Sequence, residues 1–375
     1  MIDALQPLPL PLQSLPESLQ RFGDPNAPGP AKMMAAKGLV PVKGSDLVFL
    51  LVQLSADKEQ ATSKAASESL AGLPPEMLIA ACSAPIHASI LDRLATNFAS
   101  REDVLERLML NGATSSATVA RVARNAPELL TEVIATNQQR LLAAPEIIEA
   151  LYKNPKTRMS TADRLVELAA RNNVDLSGIP AFKAHAEAIR GELIPEPSDE
   201  PLPSDSLFSE ALAADSDDAD VEGDAPLSAE EEAAIKDAFK PLSFRIAKMR
   251  TSEKLRLAMV GNAAARALLI RDKSKQVSMA AIGSPQMTDT EAVPIARSKE
   301  VSEDILRFIA NRSSWMKNYE LKRALVFNPK TPTGISLKFL AHMMPGDLKD
   351  LARSKNIAAP IKSAALQRMN KMEKK

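Results

Sequence analysis

The chain has 375 residues, with 47 Lys and Arg balanced by 47 Asp and Glu, and its length suits about two to three domains. Aromatic residues make up only 3% and there is one cysteine, Cys82; this excludes an intrachain disulfide framework and a Cys/His zinc site, and disfavours a sheet core rich in aromatic and β-branched side chains. What remains is a Leu, Ala, Ile and Met palette suited to helix-on-helix packing.

The neutral average hides a strong segregation of charge. From Glu192 to Asp237 there are 16 acidic residues and one Lys; from Phe239 to Lys375 there are 27 basic residues and 11 acidic ones. The first 191 residues are close to neutral, so charge alone divides the chain into segments.

Residues 1–40 are Pro-rich (PLPLPLQSLP, DPNAPGP) without helical periodicity. A flexible tail with some extended polyproline character is expected, or alternatively a docking peptide for a partner's aromatic groove. No basic start precedes an apolar core there, so a secretory signal is not expected. The longest apolar run, around Leu47 to Leu51, is far short of the ~20 residues of a membrane span. With a lone cysteine pointing to a reducing compartment, a cytoplasmic protein without a membrane span is the expectation.

A first helical domain is expected over 41–191. Ser45 or Asp46 is placed to cap a helix through Leu47, Leu51 and Leu54, and Gly72 with Pro74-Pro75 ends the next. Short apolar stripes then recur: Ile90, Leu91 and Leu94; Val104, Leu105 and Leu108; Leu129, Leu130 and Ile134; Ile147, Ile148 and Leu151; Leu165 and Leu168. Asn, Gly or Pro separates them, and no stretch alternates with period two. Residues 192–227, with Pro195, Pro197, Pro201, Pro203 and the Asp-rich run from Asp215, read as a disordered acidic linker. Ser228 with Glu230–Glu232 resembles a capped helix start for a second, basic domain over 228–375. Its helical stretches are expected at Lys254–Leu269, Val277–Ile282, Val293–Ala296, Ile305–Ile309, Tyr319–Phe327, Ile335–Met343, Leu348–Ala352 and Ile361–Met369.

One phrase recurs along this pattern. Asn154-Pro155-Lys156-Thr157 follows Leu151-Tyr152, Asn328-Pro329-Lys330-Thr331 follows Leu325-Val326-Phe327, and Asn111-Gly112-Ala113-Thr114 is a weaker echo. Each reads as a helix-to-helix joint. Asn tolerates the left-handed conformation that closes a helix, Pro blocks continuation, Thr offers an N-cap hydroxyl, and Pro332 fits the first position of the following helix. Asn111 and Asn154 are 43 residues apart, and Ser284 and Asn328 are 44 apart, a spacing found in helical solenoid repeats.

The stretch LVFNPKTPTGISLKFLAHMMPGDLKDLARSKNIAAPIKSAALQRM resembles variant leucine-rich or HEAT-like repeats, with Thr331-Pro332, Leu337, Leu340, Asp347, Leu351 and Ala364-Ala365 at matching kinds of position. Leu151 to Ala170 matches less well, having Arg158 where Pro is usual, and Leu47 to Leu73 resembles a HEAT-like unit with Asp57 in its turn. The whole chain also resembles a group of two-part bacterial helical-repeat proteins with an acidic linker. The resemblance implies an all-α pair of stacked arrays, a scaffold with no catalytic residues to carry over.

The residues themselves agree with a chain without an evident catalytic centre. No phosphate-binding loop, nucleophile elbow or paired-carboxylate motif stands out. His87, His185 and His342 lack metal-ligand partners at helical spacing and read as surface or half-buried residues, and Cys82 (LIAAC) reads as a small core residue. No cofactor or metal is expected. One cluster invites a functional reading: Arg312, Trp315, Lys317, Tyr319, Lys322 and Arg323 gather the only Trp and one of two Tyr among cations. Such a group can hold a protein partner or stack on nucleic-acid bases, or Trp315 and Tyr319 can simply pack between repeats. The expected function is a non-enzymatic scaffold for a protein partner, with polyanion binding by the basic array, tuned by the acidic linker, as the alternative.

Overall fold

The computed structural model describes residues 5–214, 242–354 and 356–373. Among these, every regular element is helical: 24 α-helices and two short 3-10 turns, with no strand. The expected helix starts at Ser228 and the Asp-rich run from Asp215 lie outside the described residues.

The chain divides into two compact units, Met1–Thr157 with Leu168–Leu176, and Arg158–Glu167 with Ser177–Lys375. This differs from the expected boundary in the acidic stretch. Composition marked where charge changes, whereas burial shows where chain packs. Pro203–Ala213 is a helix with Phe208 and Ala211 buried. Buried Asp205 accepts from the Ser160 N–H (2.7 Å), the Ser160 hydroxyl (3.0 Å) and the Leu202 N–H (2.9 Å). An acidic, Pro-rich run therefore contributes a packed helix to the second unit, and the expected linker over 192–227 does not begin at 192.

The Pro-rich start is likewise no flexible tail over its described part. It forms Leu12–Ser14, Glu17–Gly23 and Gly29–Ala36. Its prolines begin helices, Pro16 and Pro28 as N-caps and Pro30 inside the first turn, where a missing N–H costs nothing. Leu10, Leu15 and Leu19 are buried. Gln53, fully buried in helix Ser45–Ser55, accepts from the Leu10 N–H (2.8 Å) and donates to the carbonyls of Leu10 (2.8 Å) and Gly23 (3.1 Å). Lys32 pairs with Asp57 at 2.8 Å, both side chains nearly buried. Helix Ser45–Ser55 itself starts after Gly44, whose φ of 62° is a left-handed value, with no side-chain cap from Ser45 or Asp46.

Two further departures have local causes. The stretch Lys254–Leu269 is two helices, Thr251–Val260 and Ala263–Leu269. Gly261 sits at the break because a Cβ there would lie 2.5 Å from the Leu257 carbonyl oxygen and 3.2 Å from the Ala265 Cβ; Asn262 caps the second helix by accepting from the Ala265 N–H. Pro332 is the N-cap of Thr333–Leu340 rather than its first helical residue.

The recurring joint is where the structure is most informative. Asn111, Asn154 and Asn328 are C-caps with φ of −74°, −75° and −83°, all extended, so the expected left-handed closure is corrected. What each does instead is bridge. The Asn111 amide donates to the carbonyls of Cys82 (2.7 Å) and Ala84 (2.8 Å). Asn154 donates to Ala123 (2.8 Å) and Ala126 (2.9 Å), and Asn328 to Ala296 (2.7 Å) and Ser298 (2.9 Å). Each side-chain oxygen accepts from the N–H two residues on, at Ala113, Lys156 and Lys330. A backbone N–H three residues on closes each turn.

The helix that each Asn ends packs on the helix whose carbonyls, at or just past its C-terminus, accept from that Asn: Glu102–Leu110 on Pro75–Ser83, Pro145–Lys153 on Ser116–Ala123, and Tyr319–Phe327 on Asp289–Arg297. A helix C-terminus leaves carbonyls without intrahelical donors; here a neighbouring side chain supplies them inside the protein. Ser284-Pro285-Gln286-Met287 and Asp24-Pro25-Asn26-Ala27 make the same backbone turn, but neither Ser nor Asp carries an amide donor pair.

The threonines of the phrase are core residues and not N-caps. The Thr114 hydroxyl donates to the Leu108 carbonyl at 2.6 Å, and Ser115 caps the next helix; Thr157 and Thr331 are buried. Lys330, in contrast, is exposed.

Replacing Asn154 tests this account. Asn154→Ala removes at least three hydrogen bonds and strands two carbonyls, an expected loss of about 3 kcal/mol. Asn154→Asp keeps the acceptor but sets a carboxylate against those carbonyls, so it should cost at least as much. Urea denaturation reads both, and a near-neutral Asn154→Asp would show that the amide donors are unimportant.

Candidate functional site

The aromatic and basic cluster singled out by sequence is brought together by the helices Glu303–Asn311 and Tyr319–Phe327 and the 3-10 turn Trp315–Lys317 between them. Trp315 is only 7% exposed. Arg312 lies over its ring at 4.7 Å and over Phe308 at 5.6 Å. Its Nη1 is buried without a hydrogen-bond acceptor among the described residues, so the two ring faces take the place of an acceptor.

Tyr319 donates to Asp347 and accepts from the Met344 N–H at 2.9 Å. Arg323 donates to the other Asp347 oxygen at 2.7 Å and lies over Phe327 at 5.1 Å. Burial, then the bond to Asp347, pushes the Tyr319 phenol above its ordinary value. For Asp347 burial acts upward, but the bonds from Tyr319 and Arg323 outweigh it and hold the carboxyl low. Trp315, Tyr319, Arg312 and Arg323 are thus spent on joining neighbouring helices. Lys317, exposed, and Lys322, half-buried, meet neither a ring nor a carboxylate among the described residues.

Two concave sites were not legible beforehand. One, of about 380 Å³ in the second unit, lies between Ala263–Leu269 and Asp289–Arg297. Its floor is Ile270, Met287 and Val301, all buried, and its walls are small or apolar: Ala263, Ala264, Ala267, Pro294 and Ile295. The walls are held by Arg266, which forks onto Glu291 (2.8–3.1 Å) and reaches the Gly261 carbonyl (2.7 Å) and Gln286 (3.0 Å). The signals, an Ala run and a proline inside a helix, are common in helical proteins and marked nothing by themselves.

The other, of about 360 Å³ in the first unit, is polar and follows the Asn111 joint, with Gly112, Ser115, Ser116, Arg140 and Glu146 in its lining. Arg140 donates to the carbonyls of Met109 and Asn111, both at 2.7 Å, and burial lowers its pKa from the ordinary arginine value. Both carbonyls belong to the joint it completes.

A buried polar network also escaped the sequence. His185 Nε2 meets Asp163 at 2.8 Å, with the two side chains 0% and 2% exposed. Arg250 reaches the other Asp163 oxygen at 3.3 Å and pairs with Glu253 (2.8 Å) and Glu192 (3.0 Å). Arg256, fully buried, lies over Phe208 at 4.7 Å and donates to the Arg158 carbonyl at 3.2 Å. The buried His185–Asp163 pair ties helix Phe182–Ala188 into its unit.

The remaining candidates settle simply. His87 caps helix Ala88–Asn97 by accepting from the Ser89 N–H, and burial lowers its pKa. His342 is exposed. Cys82 is fully buried, and burial, helped by Asp103, pushes its thiol up to about 11, which leaves it protonated and inert. Among the described residues no group of three or more His, Cys, Asp or Glu is placed to hold a metal ion, and no helix is long and apolar enough to cross a membrane.

The Asp347 hub carries a signed pH dependence. A lowered Asp347 value contributes stability above 3.8 that disappears as pH falls through the folded value, and a raised Tyr319 value contributes stability below 10.0 that disappears as pH rises. The stability gap between wild type and Asp347→Ala should therefore be widest between these limits and narrow at both ends. A gap that stays constant from about pH 2 to about pH 12 in urea titrations would contradict the arrangement.

No family model, curated protein or solved structure matches the chain.

Proposed function

We propose that this chain is a non-enzymatic helical-repeat scaffold, similar in kind to variant leucine-rich and HEAT-like repeats, that binds a protein partner in the cytoplasm. The observation carrying the reading is the joint used three times: a buried Asn that ends one helix and caps the helix it packs on, 27 to 32 residues earlier. Elsewhere in the first unit a run of helices also packs each on the next but one, Ser45–Ser55 to Pro75–Ser83 to Glu102–Leu110 to Glu128–Ala135. A unit built by such nearest-neighbour packing suits an extended binding surface more than an enclosed active site. Purification of the full chain at moderate salt, followed by size exclusion, is expected to yield a co-eluting protein in fixed ratio. Elution of the chain with only itself would count against the scaffold.

A specific observation also favours polyanion binding as a second reading. Between residues 254 and 307 most cations are paired: Lys254 with Asp272, Arg266 with Glu291, Lys275 with Asp304, Arg297 with Glu320 and Arg307 with Glu303. Further on, the acids Glu320 and Asp347 are already taken, while Lys330, Lys338, Lys349, Arg353 and Lys371 are exposed. The basic surplus thus falls on the last helices, and phosphate contacts through them would be salt-sensitive. A labelled oligonucleotide should bind the full chain with a log–log salt slope near −0.9 per contact. Lys338→Glu with Lys349→Glu should weaken it, and removal of residues 216–226 should strengthen it. That deletion stops short of helix Pro203–Ala213, whose loss would damage the unit. Absence of binding at low salt ends this reading.

A further inference from the structure

We propose that the groove between Ala263–Leu269 and Asp289–Arg297 is a peptide site that takes one large apolar side chain of an acidic partner segment, with Arg271 pairing a carboxylate beside it. This rests on the scaffold reading above and names where such a partner would be held.

The groove is built for an apolar side chain. Ala263 and Ala267 are exposed on the wall and bring little more than a methyl group each, while Ile270, Met287 and Val301 close the floor. A space of about 380 Å³ is at the small end of ligand pockets, which typically run about 300–1,000 Å³. It therefore fits an anchor residue better than a whole cofactor. The opening is also rigid, since the Arg266–Glu291 fork fixes the two walls against each other, and a preformed pocket spares the cost of ordering it on binding.

Charge decides the kind of peptide. Glu291 in the lining is neutralised by Arg266, and Asp272, next to the groove residue Arg271, is held by Lys254 at 2.9 Å. Arg271 lines the groove with its side chain 58% exposed and meets Glu300 only at 3.7 Å. Lys273 and Lys299, neighbours of the rim in sequence, are exposed. The charge left for a partner at this rim is cationic, which selects acidic flanks around the apolar anchor.

The test uses the full chain and two fluorescein-labelled peptides read by anisotropy at low salt: acetyl-Asp-Glu-Leu-Phe-Glu-Asp and its counterpart with Lys at each acidic position. The acidic peptide should bind and the basic one should not. Ala267→Trp, which fills the groove from an exposed position, and Arg271→Glu should each weaken binding about tenfold or more with an unchanged melting temperature. Lys156→Glu, at an exposed lysine of the first unit, should leave binding alone. Equal binding of both peptides, no binding of either, or undiminished binding by Ala267→Trp overturns the proposal. Saturable binding of dodecanoate with no competition from the acidic peptide would assign the groove to an acyl chain and overturn it as well. If a protein partner recovered with the wild type is held equally by Ala267→Trp, the groove is wrong and the scaffold stands. If no partner is recovered while the acidic peptide binds as expected, the scaffold fails and the groove stands.

Discussion

The packing depends on a single repeated interaction, a primary amide facing two carbonyls at the end of a neighbouring helix. Short helices meet an accounting difficulty: each end leaves backbone groups without partners, and 24 helices among the described residues make many ends. Where an end lies in solvent, water serves. Where helices stack tightly, the carbonyls need an internal donor, and only Asn or Gln offers two N–H groups on one neutral side chain. Asn111, Asn154 and Asn328 fill that role between helices, and Gln53 fills a comparable one for the N-terminal segment. The constraint sets register as well as stability, because a slip of the Asn-bearing helix would leave both carbonyls bare.

Around this frame the charges do different work in different places. In the second unit several cations are locked to shielded carboxylates: Arg250 to Asp163 and Glu253, Arg266 to Glu291, Arg323 to Asp347. These pairs are partly or fully shielded, where leaving one member unpaired is costly. The lysines of the final helices lack such duties and keep their charge at the surface. Net charge by segment therefore misleads when read as surface potential, since much of the basic excess before residue 312 is already answered from within the protein.

The all-helical class was legible, and so were most helix positions beyond residue 44, because apolar stripes at helical spacing followed by Asn, Gly or Pro report local structure directly. The recurring Asn phrase was recognised as a joint, although its mechanism was misjudged: left-handed closure is a property of a residue on its own, whereas bridging requires a second helix. The aromatic and basic cluster was legible as a set of residues and wrong in emphasis. Arg312 and Trp315 attract each other, and Tyr319 and Arg323 meet Asp347 from another helix, so the features that drew attention are consumed internally. The Ala-lined groove and the Asp163–His185 pair had no signature, since alanines at 263–267 and a polar residue in an amphipathic helix have ordinary explanations.

Sequence by itself determined what is local: helical class, joint positions, the segregation of charge and the scarcity of histidine and cysteine. Tertiary structure alone decided what depends on distant partners. It turned prolines of residues 1–40 into helix starts over buried leucines, made a helix of Pro203–Ala213 within an acidic stretch, and chose which cations were answered by acids. The physical reason is that propensity and periodicity act within a turn or two of chain. Burial and pairing are settled between residues such as Asp163 and Arg250, or Asn154 and Ala123, whose separation along the chain carries no trace of their contact.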